Sequence, residues 1–116
     1  IAYLFATVAG VSKVGSITGN GTALGEDQDI DCGFSNGARF VLIKRSSGGS
    51  GGWYVFDTER GIVAGNDPLL ALNNTNAENS GYDLIEPLSS GFTFKYNVDW
   101  NFNKTGNTFV FYAIAA

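Results

Sequence analysis

Short runs of Val, Ile, Phe and Tyr recur along this chain about every ten residues, separated by clusters of Gly, Asn, Ser and Asp, and no segment carries a sustained helical period. A chain punctuated in this way folds into short strands joined by tight connections, which leaves an antiparallel sandwich or barrel as the available architecture. The expectation is an all-β domain built as a two-sheet β-sandwich. The predicted strands are Ala2 to Ala9, Ser12 to Thr18, Ile30 to Gly33, Arg39 to Arg45, Trp53 to Thr58, Leu69 to Leu72, Phe92 to Asp99 and Thr108 to Ala115.

Within some of these strands the pattern alternates with period two. Phe92, Phe94 and Tyr96 oppose Thr93, Lys95 and Asn97, so one face packs and the other meets solvent. The closing run Phe109-Val110-Phe111-Tyr112-Ala113-Ile114 is apolar on both faces, as in a central strand whose outer side is covered by a loop or a neighbouring subunit. Between Ile43 and Trp53, the segment Ser46-Ser47-Gly48-Gly49-Ser50-Gly51-Gly52 has the composition of a linker and predicts a mobile, exposed hairpin tip.

The length of 116 residues fits a single domain spanning 1–116. No methionine occurs and Ile1 opens directly in strand-like sequence, so the chain is expected to be a fragment of a longer one. The opening Ile1-Ala2-Tyr3-Leu4-Phe5-Ala6 aligns with the closing Val110-Phe111-Tyr112-Ala113-Ile114-Ala115 at Tyr and at the final Ala, which suggests a tandem arrangement of such units.

A formal net charge of -4 argues against sequence-independent binding to nucleic acid or to an anionic membrane, since both require clustered Lys and Arg, and Lys44-Arg45 is the only adjacent basic pair. The longest apolar stretch, Ala38 to Ile43 interrupted by Arg39, is too short to insert in a bilayer.

Absent residues narrow the chemistry. With no His and with Cys32 as its one cysteine, the chain offers no Ser-His-Asp or Cys-His arrangement, no disulfide and no tetrahedral zinc site of its own. Cys32 reads as a small strand residue. Glycoside hydrolysis needs two carboxylates, and Asp57 and Glu59 project from one face of an extended segment beside Trp53 and Tyr54; solvent-facing charges with Arg60 as partner explain the same residues.

Asp27, Asp29 and Asp31 stand on one side of an extended segment, where a hard cation would ease their repulsion. Calcium is the candidate cofactor, although Cys32 and Ala38 occupy positions where an EF-hand loop requires Gly and Glu. The other account is an acidic edge that discourages strand-to-strand aggregation. For carbohydrate, Trp53, Tyr82 and Trp100 would cover sugar rings and Asn74, in the stretch Asn73-Asn74-Thr75-Asn76, would read hydroxyls, while packing in the core or at an interface accounts for the same aromatics. Asn20-Gly21-Thr22, Asn73-Asn74-Thr75 and Asn103-Lys104-Thr105 match the N-glycosylation acceptor but have the composition of turns.

Longer patterns carry a family resemblance. Ala38-Arg39-Phe40-Val41-Leu42-Ile43-Lys44-Arg45, a glycine-rich tip and Gly52-Trp53-Tyr54-Val55-Phe56-Asp57-Thr58-Glu59-Arg60-Gly61 are followed by Asn66-Asp67-Pro68-Leu69-Leu70-Ala71-Leu72-Asn73, Pro87-Leu88-Ser89-Ser90-Gly91-Phe92 and Gly106-Asn107-Thr108-Phe109-Val110-Phe111-Tyr112. In this order, and over nearly the whole chain, the sequence resembles a β-sandwich module of tailed-phage virion proteins. The resemblance implies a concanavalin-like or jelly-roll sandwich in a tail fibre or other surface appendage, or in a capsid decoration protein. It further implies a non-enzymatic structural role in host attachment on the virion surface, with self-association as a homo-oligomer (a trimer among the options), other virion proteins as partners and a host-surface glycan as target. It carries over no catalytic residue. The chain departs from the module at Gly48 to Gly52 and at Asn97 to Asn103.

Overall fold

The computed structural model describes residues 1–116. It is all-β, with eight strands: β1 Ser12–Thr18, β2 Gln28–Asp31, β3 Ala38–Ser47, β4 Trp53–Asp57, β5 Leu70–Ala71, β6 Ile85–Leu88, β7 Gly91–Phe94 and β8 Thr108–Ala115. A five-stranded sheet in the order β1-β8-β3-β4-β5 packs on a three-stranded sheet in the order β2-β7-β6, and the pairings are antiparallel. This is the two-sheet sandwich expected from the strand periodicity.

The core follows from alternation. Phe109, Phe111 and Ala113 of β8, Val41 and Ile43 of β3, and Phe56 of β4 point inward from the larger sheet, and Ile30, Ile85, Phe92 and Phe94 from the smaller. The sheets meet through aromatic edges: Phe94 lies 4.9 Å from Phe109 and Phe92 5.5 Å from Phe111, each T-shaped. Phe102, from the segment joining β7 to β8, fills one end of the sandwich at 5.2 Å from Phe94.

Two buried polar side chains hold the irregular segments. Asn103, with φ of 46°, accepts from the Asn20 N–H at 3.2 Å and donates to the Glu26 carbonyl at 2.9 Å, tying both ends of the β1–β2 connection to the β7–β8 connection. Asn tolerates this left-handed backbone, and its amide supplies both a donor and an acceptor. Buried there, Asn103 is out of reach as a glycosylation acceptor. Asp67, also completely buried, accepts from the Leu84 and Ile85 N–H groups at 3.0 Å each, which docks the segment before β5 onto the start of β6.

The structure departs from the expected strands chiefly at three places. Ala2 to Ala9 is not a strand: a turn brings the Val8 and Ser12 backbones together, Gly10 adopting φ of 70°, and the preceding residues leave the edge of β1 to lie across the sheet. β6 was not anticipated because it contains Pro87, which a ladder tolerates only where one side is free, and β6 is an edge strand. The expected Phe92 to Asp99 strand ends at Phe94, after which the chain turns and Asn97 pairs with Phe102.

The glycine-rich tip is exposed from Ser46 to Ser50, as expected, and is anchored at its base. Lys44 Nζ donates to the Arg45 and Gly51 carbonyls at 3.0 and 2.6 Å, Gly52 is buried, and a Cβ on Gly48 would run into the Asn107 side chain.

Candidate functional site

The outer face of the five-stranded sheet is the part of the surface whose chemistry is least like that of an ordinary solvated face. Strand register fixes its composition: Val14 of β1 stands beside Tyr112 of β8, Tyr112 beside Leu42 of β3, and Leu42 beside Val55 of β4. Val110 and Trp53 flank Lys44 in the next row. Val14, Val110 and Trp53 are 39%, 40% and 42% exposed, a large apolar surface spread across β1, β8 and β4 of one sheet face.

The opening segment, residues 1–7, covers part of this face. Phe5 stacks on Tyr112 with ring centroids 4.4 Å apart, the Ser12 hydroxyl donates to the Ala6 carbonyl at 2.8 Å, and the Thr7 hydroxyl accepts from the Val14 N–H at 3.0 Å. Ile1 to Phe5 make no backbone–backbone hydrogen bond. Beside this arm, a groove of about 210 Å³ is lined by Tyr3, Phe5, Val14, Leu42 and Val110, and a second of about 520 Å³ by Phe40, Leu42, Trp53 and Leu72 along with Tyr3 and Phe5. Leu4, 92% exposed, points away from the domain.

The candidate sugar-binding residues do not converge. Trp53 lies on the outer face of β4, whereas its neighbour Tyr54 points to the opposite side of the strand. Tyr54 meets Trp100 at 4.9 Å, and Trp100 meets Tyr82 at 5.3 Å, so Trp100 and Tyr82 pack against the core. Asn74 is exposed and its carbonyl oxygen caps the Asn76 N–H at 3.0 Å; its neighbour Asn73 accepts from the Trp53 N–H at 2.9 Å.

Asp27, Asp29 and Asp31 share the outer side of the smaller sheet, as alternation requires, with Ile30 turned inward. Each carboxylate nevertheless has its own partner. Asp27 pairs with Lys95 at 2.8 Å and accepts from the Tyr96 N–H at 3.0 Å, Asp29 accepts from the Thr93 hydroxyl at 2.7 Å, and Asp31 accepts from the Gly33 N–H at 2.8 Å. No group of three or more His, Cys, Asp or Glu is gathered closely enough to hold a metal ion. The calcium expectation therefore finds no assembled ligand set.

Of the three aspartates only Asp27 meets a cationic side chain, that of Lys95. The Lys95 ammonium lies 2.8 Å from Asp27, 3.2 Å from Glu86 and 3.7 Å from Asp83. Partial burial pulls its pKa down, but hydrogen bonds to Asp27 and Glu86 and the charge of Asp83 outweigh that, holding it above the ordinary lysine value. Burial raises the Asp83 carboxyl, against the pull of Lys95, and the nearby Glu86 and Asp27 raise it further.

Asp57 is committed to Arg60, which it binds through both its backbone N–H, at 2.8 Å, and its guanidinium; the same guanidinium reaches Glu78 at 3.1 Å. Glu59 lies in an adjoining shallow groove with Arg39 and Asp57. Cys32 is buried, and burial pushes its thiol up to about 11, far from the range of a reactive thiolate.

The family model described as Domain of unknown function (DUF7483) matches residues 1–116. The chain belongs to the DUF7483 family. No curated protein and no solved structure matches it. In this DUF7483 domain the residues that sequence reasoning missed are Asp67, Asn103 and the outward rows that hold Val14, Leu42 and Val110. These rows had a partial signal in the two-faced apolar pattern of β8, but their extension across β1 and β3 depends on register. Asp67 had none beyond an acidic residue set among Ile62, Val63, Leu69 and Leu70.

Proposed function

We propose that this domain is a non-enzymatic structural module of a tailed-phage virion, part of a tail fibre or other surface appendage, and that it works as a homo-oligomer in contact with other virion proteins. The observation that carries the reading is the apolar outer face of the five-stranded sheet, only partly covered by residues 1–7 and exposed at Val14, Val110 and Trp53, a surface suited to assembly rather than to turnover. The setting comes from the resemblance over nearly the whole chain to virion β-sandwich modules. The commitment of Asp57 to Arg60 weighs against a glycosidase pair at Asp57 and Glu59.

Host-glycan binding is retained only around Trp53, because Trp100 and Tyr82 are occupied with Tyr54 and the core. The test is immunogold labelling, with an antibody raised against the domain, of particles released from cells that carry the gene. Label on tails or fibres is the expected result, label on the shell selects capsid decoration, and particles without label overturn the reading.

A further inference from the structure

Arg45 is an unpaired cation in a chain with an excess of carboxylates. Its guanidinium makes no ion pair within the chain, and its Nε is buried without a hydrogen-bond partner, a donor whose desolvation nothing in the fold offsets. The two terminal amino groups, also without partners, reach solvent. No Asp or Glu occurs between Asp31 and Asp57, and Asp57 lies at the far end of β4, opposite Phe40. On the other side of β3, β8 carries no charged residue.

The glycine-rich tip brings further donors to the same place. The N–H groups of Gly48, Gly49, Ser50 and Gly51 have no acceptor within the chain. Gly48 and Gly49 adopt φ of 86° and 125°, and consecutive N–H groups in turns of this kind form anion-binding concavities. The tip lies close on the guanidinium: a Cβ on Gly49 would stand 3.3 Å from Arg45 Nη2, and one on Gly51 would stand 3.3 Å from Nε. Lys44, whose ammonium is engaged by the Arg45 and Gly51 carbonyls, ties the tip to its base and adds positive charge without an acid to neutralise it.

We propose that Arg45 and the tip of residues 48–51 form an oxyanion site whose ligand is a carboxylate group. The fork of terminal amino groups matches the two oxygens of a carboxylate, and the free N–H groups of the tip supply the remaining donors. One guanidinium balances one negative charge, and the formal net charge of -4 disfavours a ligand with more. Lys44 is a positioning residue, holding the loop rather than the ligand. The carboxylate is either free or carried by an acidic sugar. This site goes beyond the virion role proposed above and does not depend on it.

Titration of the nitrogen-15-labelled chain at constant ionic strength, with acetate, with glucuronate and with inorganic phosphate, tests the assignment by NMR. The expected result is a saturable shift of the Arg45 Nε–H signal and of the Gly48, Gly49, Ser50 and Gly51 amides, with the rest of the spectrum unmoved. Saturation by acetate supports a site for a bare carboxylate, and saturation by glucuronate alone supports one that reads the carboxylate on a sugar. Arg45→Lys, which keeps the charge and loses the fork, should weaken binding about tenfold, and Arg45→Gln should abolish it, both with an unaltered core spectrum. Absence of a saturable shift with either carboxylate overturns the proposal, as does binding that survives in Arg45→Gln. Tighter binding of phosphate than of both carboxylates overturns the choice of ligand.

Discussion

The Phe5 ring lies over the Tyr112 ring at a centroid distance of 4.4 Å, on the opposite side of β8 from the Phe92–Phe111 and Phe94–Phe109 contacts that join the sheets. β8 therefore has aromatic neighbours on both faces: those inside belong to the folded core, while outside Tyr112 meets Phe40 of β3 and the Phe5 ring of an arm without backbone hydrogen bonds up to Phe5. Phe5→Ala removes that attachment. The stack contributes about 1 kcal/mol, and its loss should speed proteolytic removal of the residues before Val8 several-fold, read by mass spectrometry, while the rest of the domain stays intact.

Phe94 tests the interior. Fully buried between Phe109 at 4.9 Å and Phe102 at 5.2 Å, it cannot be truncated without leaving a cavity at the junction of the two sheets. Phe94→Ala should cost about 3 to 5 kcal/mol, measured by denaturant unfolding. Phe111→Ala belongs to the same range.

Asp67 should confer a pH dependence of opposite sign to ordinary acid denaturation. Burial raises its carboxyl to about 6, against the lowering effect of the Ile85, Leu84 and Val63 N–H groups. A folded pKa above the unfolded value stabilises the domain at low pH, and that stabilisation fades as pH rises through about 6. Relative to Asp67→Asn, the wild-type chain should gain about 1.4 kcal/mol on going from pH 7.5 to pH 5. Parallel curves for the two proteins would contradict this account of Asp67.

Lys95 holds Asp27, Glu86 and Asp83 together on the smaller sheet. Lys95→Met should destabilise the domain at neutral pH by about 1 to 3 kcal/mol, since it leaves three carboxylates facing one another. Thermal melts should recover part of the loss in high salt, where the repulsion is screened.

β1 and β8 were legible in the sequence with their observed bounds, because β1 lies between Gly10 and the Gly19-Asn20-Gly21 turn and β8 opens directly after Gly106-Asn107 with an unbroken run of strand-forming residues. The arm was not, since Tyr3 and Phe5 alternate in the same way whether a segment pairs at an edge or lies over a face. β6 was hidden by Pro87, whose tolerance depends on the strand being an edge, a property of the whole sheet. The aromatic candidates failed to assemble for a related reason: Trp53 and Trp100 stand on opposite sides of β4, and only the fold decides which side is outside. Asp27, Asp29 and Asp31 were placed on the right face, but Thr93, Lys95 and Tyr96, the partners of Asp27 and Asp29, come from a strand and connection distant in sequence.

Light scattering of the wild-type chain at increasing concentration, repeated with a chelator, tests the central claim most directly. The account predicts a mass that is a multiple of 12.3 kDa and is indifferent to chelator, because the three aspartates are already engaged within the domain. A mass of 12.3 kDa at every concentration would contradict it.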